Sequence, residues 1–110
     1  MASKRIEMFN SEIQRELSSI LQSVKDPNIN GIISVQNVEL TRDFSHCNVY
    51  VSIYNSKDNK ATFNALKNAI PYIRRQLASR VDIRTMPELH LFLDESLDYV
   101  QKINQVLKNL

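Results

Sequence analysis

Five basic side chains within residues 67–84 could act together: Lys67, Arg74, Arg75, Arg80 and Arg84. A guanidinium group is a planar fork of donors that pairs with phosphate oxygens and stacks on aromatic rings. One acid, Asp82, interrupts the run, so the segment carries +4. The whole 110-residue chain carries only +2, which leaves −2 for everything outside that segment. A nearly neutral chain that gathers its positive charge on one element is expected to present a polyanion-binding face. The competing reading is a solvated helical face whose arginines pair with Asp82, Glu88 or Asp94. Arg84, beside Pro87 and near acids, is the member expected to serve structure. Lys4, Arg5 and Arg42 could extend the same surface, or could be ordinary solvated charge.

Other constellations are weaker. His46, Tyr50 and Tyr54 could stack on bases from an open sheet, although cross-strand packing is the favoured reading. His46, Cys47 and His90 are the only imidazole and thiol ligands. They lack the paired spacing of a zinc site, so no metal and no cofactor is expected. His46 and Cys47 are neighbours on a strand and point to opposite faces, and Cys47 shares parity with Val49 and Val51, which makes it a core residue. Asp94 is expected to order a turn. No nucleophile or acid–base pair with a supporting partner stands out, so the chain reads as a binding protein and not an enzyme.

Composition excludes several classes. Gly31 is the one glycine. Loops that cradle phosphate need several, which removes a Walker A loop, a dinucleotide fingerprint and a Gly-x-x-Gly clamp. A single cysteine rules out an internal disulfide and fits a reducing cytoplasm. No apolar run approaches the ~20 residues of a membrane span. The N-terminal MASKRIEMFNSEI lacks the apolar stretch of a signal peptide. The length suits one domain, residues 1–110, expected to act as a monomer.

The elements that must position these residues follow from periodicity. Ile6, Phe9, Ile13, Leu17, Ile20 and Val24 recur at helical spacing and predict an amphipathic helix over about residues 4–25, with Ser3 as N-cap. Asp26-Pro27-Asn28 stops it, and Asn30-Gly31 turns the chain. Residues 32–42 predict a strand whose apolar parity slips between Val35 and Val38. A β-bulge near Gln36-Asn37 would repair the slip. Residues 46–54 alternate cleanly and predict a second strand, joined to the first in an antiparallel hairpin. Phe63, Leu66, Ile73, Leu77 and Val81 continue a helical period across Pro71, which predicts helices over about 58–69 and 71–80 meeting at a kink. Pro71 should take the first position of the second helix. Leu89, Leu91 and Leu93 predict a third strand over about 89–94. Ser96 should cap a last helix carrying Leu97, Val100, Ile103, Leu107 and Leu110 inward. The chain is thus expected to be α+β, ordered α-β-β-α-α-β-α, with a three-stranded sheet and helices on one face.

The α-β-β-α-α-β part of that order is that of the bacterial type II KH-like domain. In detail, RDFSHCNVYVS (42–52), LKNAIPYIRRQLASRV (66–81), IRTMPELHLFLDES (83–96) and KDPNINGIISVQNVEL (25–40) resemble the bacterial ribosome-binding factor A family over almost the whole chain. The resemblance implies a non-enzymatic, cytoplasmic factor that binds free or immature 30S subunits and their 16S rRNA. It also implies help in rRNA processing and late subunit maturation, notably in the cold. In that family an Ala-x-Gly kink between the middle helices replaces the Gly-x-x-Gly loop. Ala69-Ile70-Pro71 stands there in this chain, with proline for glycine, so the bend is kept by steric restriction. Many members also carry a basic C-terminal tail, which this sequence lacks, so rRNA contacts are expected on the domain itself. The alternative function is a protein–protein adaptor that docks the basic helix on an acidic partner.

Overall fold

The computed structural model describes residues 4–94. Ser3 and the expected last helix with its Ser96 cap lie outside them. The remaining order is the expected one: α1 Lys4–Ser23, β1 Ile32–Leu40, β2 His46–Tyr54, α2 Asn59–Asn68, α3 Ile70–Arg80 and β3 Glu88–Leu93. The sheet order is β1-β2-β3, with β1 antiparallel and β3 parallel to β2.

The parity slip in β1 is a bulge. Val35 pairs with Val51 and Asn37 with Tyr50, so Gln36 is the extra residue. Its side-chain amide donates to Ser34 Oγ at 2.9 Å and Ser52 Oγ at 3.0 Å. The insertion puts both Val35 and Val38 on the core side, which strict alternation would forbid. Three rows then cross the sheet: Leu40–Cys47–Leu89, Val38–Val49–Leu91 and Val35–Val51–Leu93. All of these residues are buried except Leu93, which is half-buried.

The helices cover that face. α1 buries Ile6, Phe9, Ile13, Leu17, Ile20 and Leu21 and lies against β1 and α3. α2 contributes Leu66, and α3 contributes Ile73 and Leu77. Full burial of such a side chain contributes about 1.5–3 kcal/mol. Two polar residues of α1 also bind β1: the Leu40 N–H donates to Asn10 Oδ1 at 2.9 Å, and Gln14 Nε2 donates to the Val35 carbonyl at 3.1 Å.

Gly31 sits where only glycine fits. Its φ is +87°, and an added Cβ would lie 2.6 Å from the Tyr54 carbonyl oxygen and 2.8 Å from Ser56 N. Around it, Asn30 Oδ1 accepts from Ser56 Oγ and Lys57 N–H, while the fully buried Thr62 donates its hydroxyl to the Asn28 carbonyl. Asp58 caps α2 by accepting from the N–H groups of Lys60 and Ala61.

Several boundaries differ from expectation by one or two residues, three of them with a visible cause. α1 ends at Ser23, whose hydroxyl bonds back to the Ile20 carbonyl at 2.7 Å and competes with continuation. β1 ends at Leu40, because Thr41 turns to bond His46. α3 begins at Ile70, so Pro71 takes its second position and Ala69 is the break. First-turn N–H groups have no partner within their helix, so proline costs nothing at either position.

Candidate nucleic-acid interface

Ala69 shapes the surface that carries the basic residues. At φ −88° and ψ 2° it leaves helical geometry. Its N–H still donates to the Ala65 and Leu66 carbonyls, and its carbonyl accepts from Ile73 N–H at 2.9 Å. One residue therefore closes α2 and opens α3. Pro71 lacks the N–H that would have continued α2 onto the Lys67 carbonyl, which is why the chain bends here.

α3 turns Ile73 and Leu77 inward and divides the arginines into two kinds. Arg74 is half-buried and spent on the protein. Its Nε donates to the Pro87 carbonyl at 3.2 Å and an Nη to the Met86 carbonyl at 3.0 Å, so the fork grips two successive peptides of the α3–β3 connector. Arg80 turns toward α1, with Nη1 3.3 Å from Ser19 Oγ and 3.6 Å from a Glu16 carboxylate oxygen. The acid that Arg80 meets is thus Glu16. Arg75 and Arg84 are exposed and have no partner among the described residues. The expectation that Arg84 serves structure is therefore reversed: Arg74 takes that part, because the Met86 and Pro87 carbonyls come within reach of its guanidinium while Arg84 stays exposed.

Lys67 is exposed near the end of α2, with Nζ 5.6 Å from the centre of the Phe63 ring. Lys4 is exposed at the start of α1, and Arg42 is exposed in the hairpin turn. Arg5 has a more specific setting. Its guanidinium carbon lies 5.3 Å from the centre of Phe44 and 5.8 Å from that of Phe9. The two rings meet edge to face, 5.7 Å apart. Arg5 and Arg84 line one cleft of about 350 Å³ with Asp43, Phe44, Ser45, Ile83 and Thr85. A second cleft, about 390 Å³, lies between Pro71, Arg74, Arg75, Ala78 and Met86. Arg75 on α3 and Arg84 on the α3–β3 connector, both without a partner among the described residues, thus each line one of two recesses.

The hairpin turn below Arg5 is built on one carboxylate. Asp43 accepts from Ser45 Oγ, Thr41 Oγ1 and Ser45 N–H at 2.7, 2.8 and 3.1 Å. These donors, the Ser45 hydroxyl foremost, lower its pKa to about 2. The turn also holds Phe44 at φ +61°, which aims its ring at Arg5.

The open face of the sheet answers the second candidate set. Tyr50 pairs with Phe92 across the strands, the rings stacked 5.2 Å apart at 23°, which is the cross-strand packing expected for Tyr50. Tyr54 is 43% exposed at the end of β2. His46 meets His90 and Glu88, a grouping that sequence spacing did not disclose. Cys47 is fully buried, and burial pushes its thiol up to about 12, which removes it as a nucleophile. No helix among the described residues is long and apolar enough to cross a membrane.

Known proteins resemble this chain in sequence and fold. The family model for ribosome-binding factor A matches residues 5–107. Ribosome-binding factor A of Caldanaerobacter subterraneus is 40% identical over 108 residues, covering 96% of this chain and 88% of that protein. The crystal structure of ribosome-binding factor A from Thermus thermophilus superposes with a TM-score of 0.72 at 26% identity, covering 80% of this chain and 93% of that one. A Thermus thermophilus homology model fitted into a cryo-EM map of a 30S complex gives 0.66 at 28% identity, covering 78% and 91%.

Proposed function

The chain belongs to the ribosome-binding factor A family, and from that premise we propose that it binds 16S rRNA within free or immature 30S subunits. It acts there as one KH-like domain, a cytoplasmic monomer that performs no catalysis. By holding rRNA in one conformation it assists 16S processing and late subunit maturation, with most effect in the cold, where misfolded RNA is slow to rearrange. The observation that carries this reading is the pair of exposed arginines, Arg75 on α3 and Arg84 on the α3–β3 connector, that have no partner among the described residues. Lys67 and Arg5 extend the surface, with Lys4 and Arg42 at its margins. Arg74 and Arg80 support it from beneath.

The test is the salt dependence of binding to 30S particles. If about four phosphates are neutralised, the slope of log K against log salt lies near −3 to −4. Removing Arg75 and Arg84 together should lower its magnitude by about 1.4–1.8. An unchanged slope would take these residues out of the interface. Co-sedimentation that survives RNase, with no affinity for bare rRNA, would point to a protein partner instead.

A further inference from the structure

The sheet's open face carries a second constellation, at the end nearest the hairpin turn. His46 opens β2. Glu88 and His90 are two apart on β3 and so share a face. Parallel pairing sets His46 opposite Glu88 and Asn48 opposite His90, bringing all three side chains to one place. His46 Nδ1 lies 3.0 Å from His90 Nε2 and 3.7 Å from Glu88 Oε2. All three ligand atoms fall within 4.8 Å of one another.

The His46–His90 and His46–Glu88 separations fit coordination to a common centre. Zinc bonds to nitrogen and carboxylate oxygen are about 2.0–2.2 Å long, so ligand atoms of a tetrahedral site stand roughly 3.3–3.6 Å apart. The two observed contacts straddle that value. Two imidazoles with one carboxylate suit a first-row divalent ion such as Zn²⁺ and are too nitrogen-rich for Mg²⁺ or Ca²⁺. The backbone at the site is fixed as well. The His46 N–H donates to Thr41 Oγ1, and the His46 carbonyl accepts from Thr41 N–H. The Glu88 N–H donates to the Ser45 carbonyl at 2.9 Å. Pro87, just before Glu88, is held through its carbonyl by Arg74. The ligands therefore stand on strands anchored at both starts, and a metal need not order a loop to bind.

We propose that His46, Glu88 and His90 form a three-ligand site for a Zn²⁺-class ion, with a fourth position open to water or an external oxygen ligand. The site is independent of the RNA reading, since it uses none of the basic residues. It would nevertheless alter their surroundings. With neutral imidazoles the empty cluster carries −1, and with a divalent ion bound it carries +1. Ser45 links it to the cleft that Arg5 and Arg84 line.

The experiment is calorimetric titration of the untagged full chain with Zn²⁺, with Co²⁺ absorption reporting geometry. One ion per chain is expected, with tetrahedral Co²⁺ bands and no thiolate signature, because Cys47 is buried. His46→Gln and His90→Gln should each weaken binding at least about tenfold, since even loss of a supporting residue around a metal costs that much. Asp82→Asn, exposed on the connector, should leave it unchanged. Zn²⁺ should also shift the ring resonances of both histidines in the unaltered protein, a readout that needs no variant. Absence of stoichiometric binding, or affinity unchanged in both histidine variants, would overturn the assignment.

Discussion

Arg74 and Arg75 are neighbours on α3, yet removing each should disturb a different property. In Arg74→Ala the Pro87 and Met86 carbonyls lose both bonds from the fork. Pro87 is fully buried and Met86 half-buried, so water replaces the lost donors incompletely. A bond to a charged donor contributes about 1.5–3 kcal/mol, and a buried acceptor left unmatched costs about 1–3 kcal/mol. Allowing for partial resolvation, Arg74→Ala should cost about 2 kcal/mol, or roughly 8–16 °C in Tm for a domain of this size. Arg74→Lys should recover only part of this, because an ammonium cannot fork across two peptides. Arg75→Ala should stay within about 0.5 kcal/mol of the parent, as an exposed residue without partners among the described residues does. It should instead lower the magnitude of the salt slope for 30S binding by about 0.7–0.9. Urea denaturation followed by circular dichroism, beside sedimentation binding at several salt concentrations, separates the two effects. An Arg75→Ala loss of stability equal to that of Arg74→Ala would refute the division of the arginines, and so would an unshifted midpoint for Arg74→Ala.

Two further outcomes follow from the turns. Gly31→Ala combines a left-handed φ with a 2.6 Å approach to the Tyr54 carbonyl. It should lower stability by about 2–4 kcal/mol in chemical denaturation, since such strain alone costs about 1–3 kcal/mol; a near-neutral effect would mean that the 24–31 loop can move aside. Asp43 has a folded pKa of about 2 against an ordinary 3.8. Its contribution is present above pH 4 and fades as pH falls toward 2. Asp43→Asn should therefore flatten the acid limb of the stability profile between those values, with little change in its dependence near neutrality.

Much of the fold was legible because local pattern and burial agree. β2 runs from His46 to Tyr54 as read, since its apolar residues Cys47, Val49, Val51 and Ile53 alternate and are all buried. The β1 bulge was legible from the parity slip, because only an inserted residue lets Val35 and Val38 face one core. The break between the middle helices was legible from Pro71, but its place was not. Proline acts on the carbonyl four residues back and on the residue before it, and the chain answered at Ala69. The site was harder to read. That Arg74 binds backbone depends on where the connector returns, and no pattern within α3 encodes this. Arg80 meets Glu16 from a helix more than sixty positions earlier. His46 lies 44 positions from His90 and becomes its neighbour only through the register of two parallel strands. Ligand spacing along a chain detects sites built on one loop or helix, and this one is divided between strands.

The two α1 side chains that reach β1 have a consequence beyond holding the helix down. β1 is an outer strand of the sheet, and an outer strand offers backbone donors and acceptors to any extended segment that drifts alongside. Asn10 occupies the Leu40 N–H and Gln14 the Val35 carbonyl, and the bulge between them breaks the regular ladder that a foreign strand would need. Helix α1 thereby guards one border of the sheet against the edge-to-edge pairing that leads to aggregation.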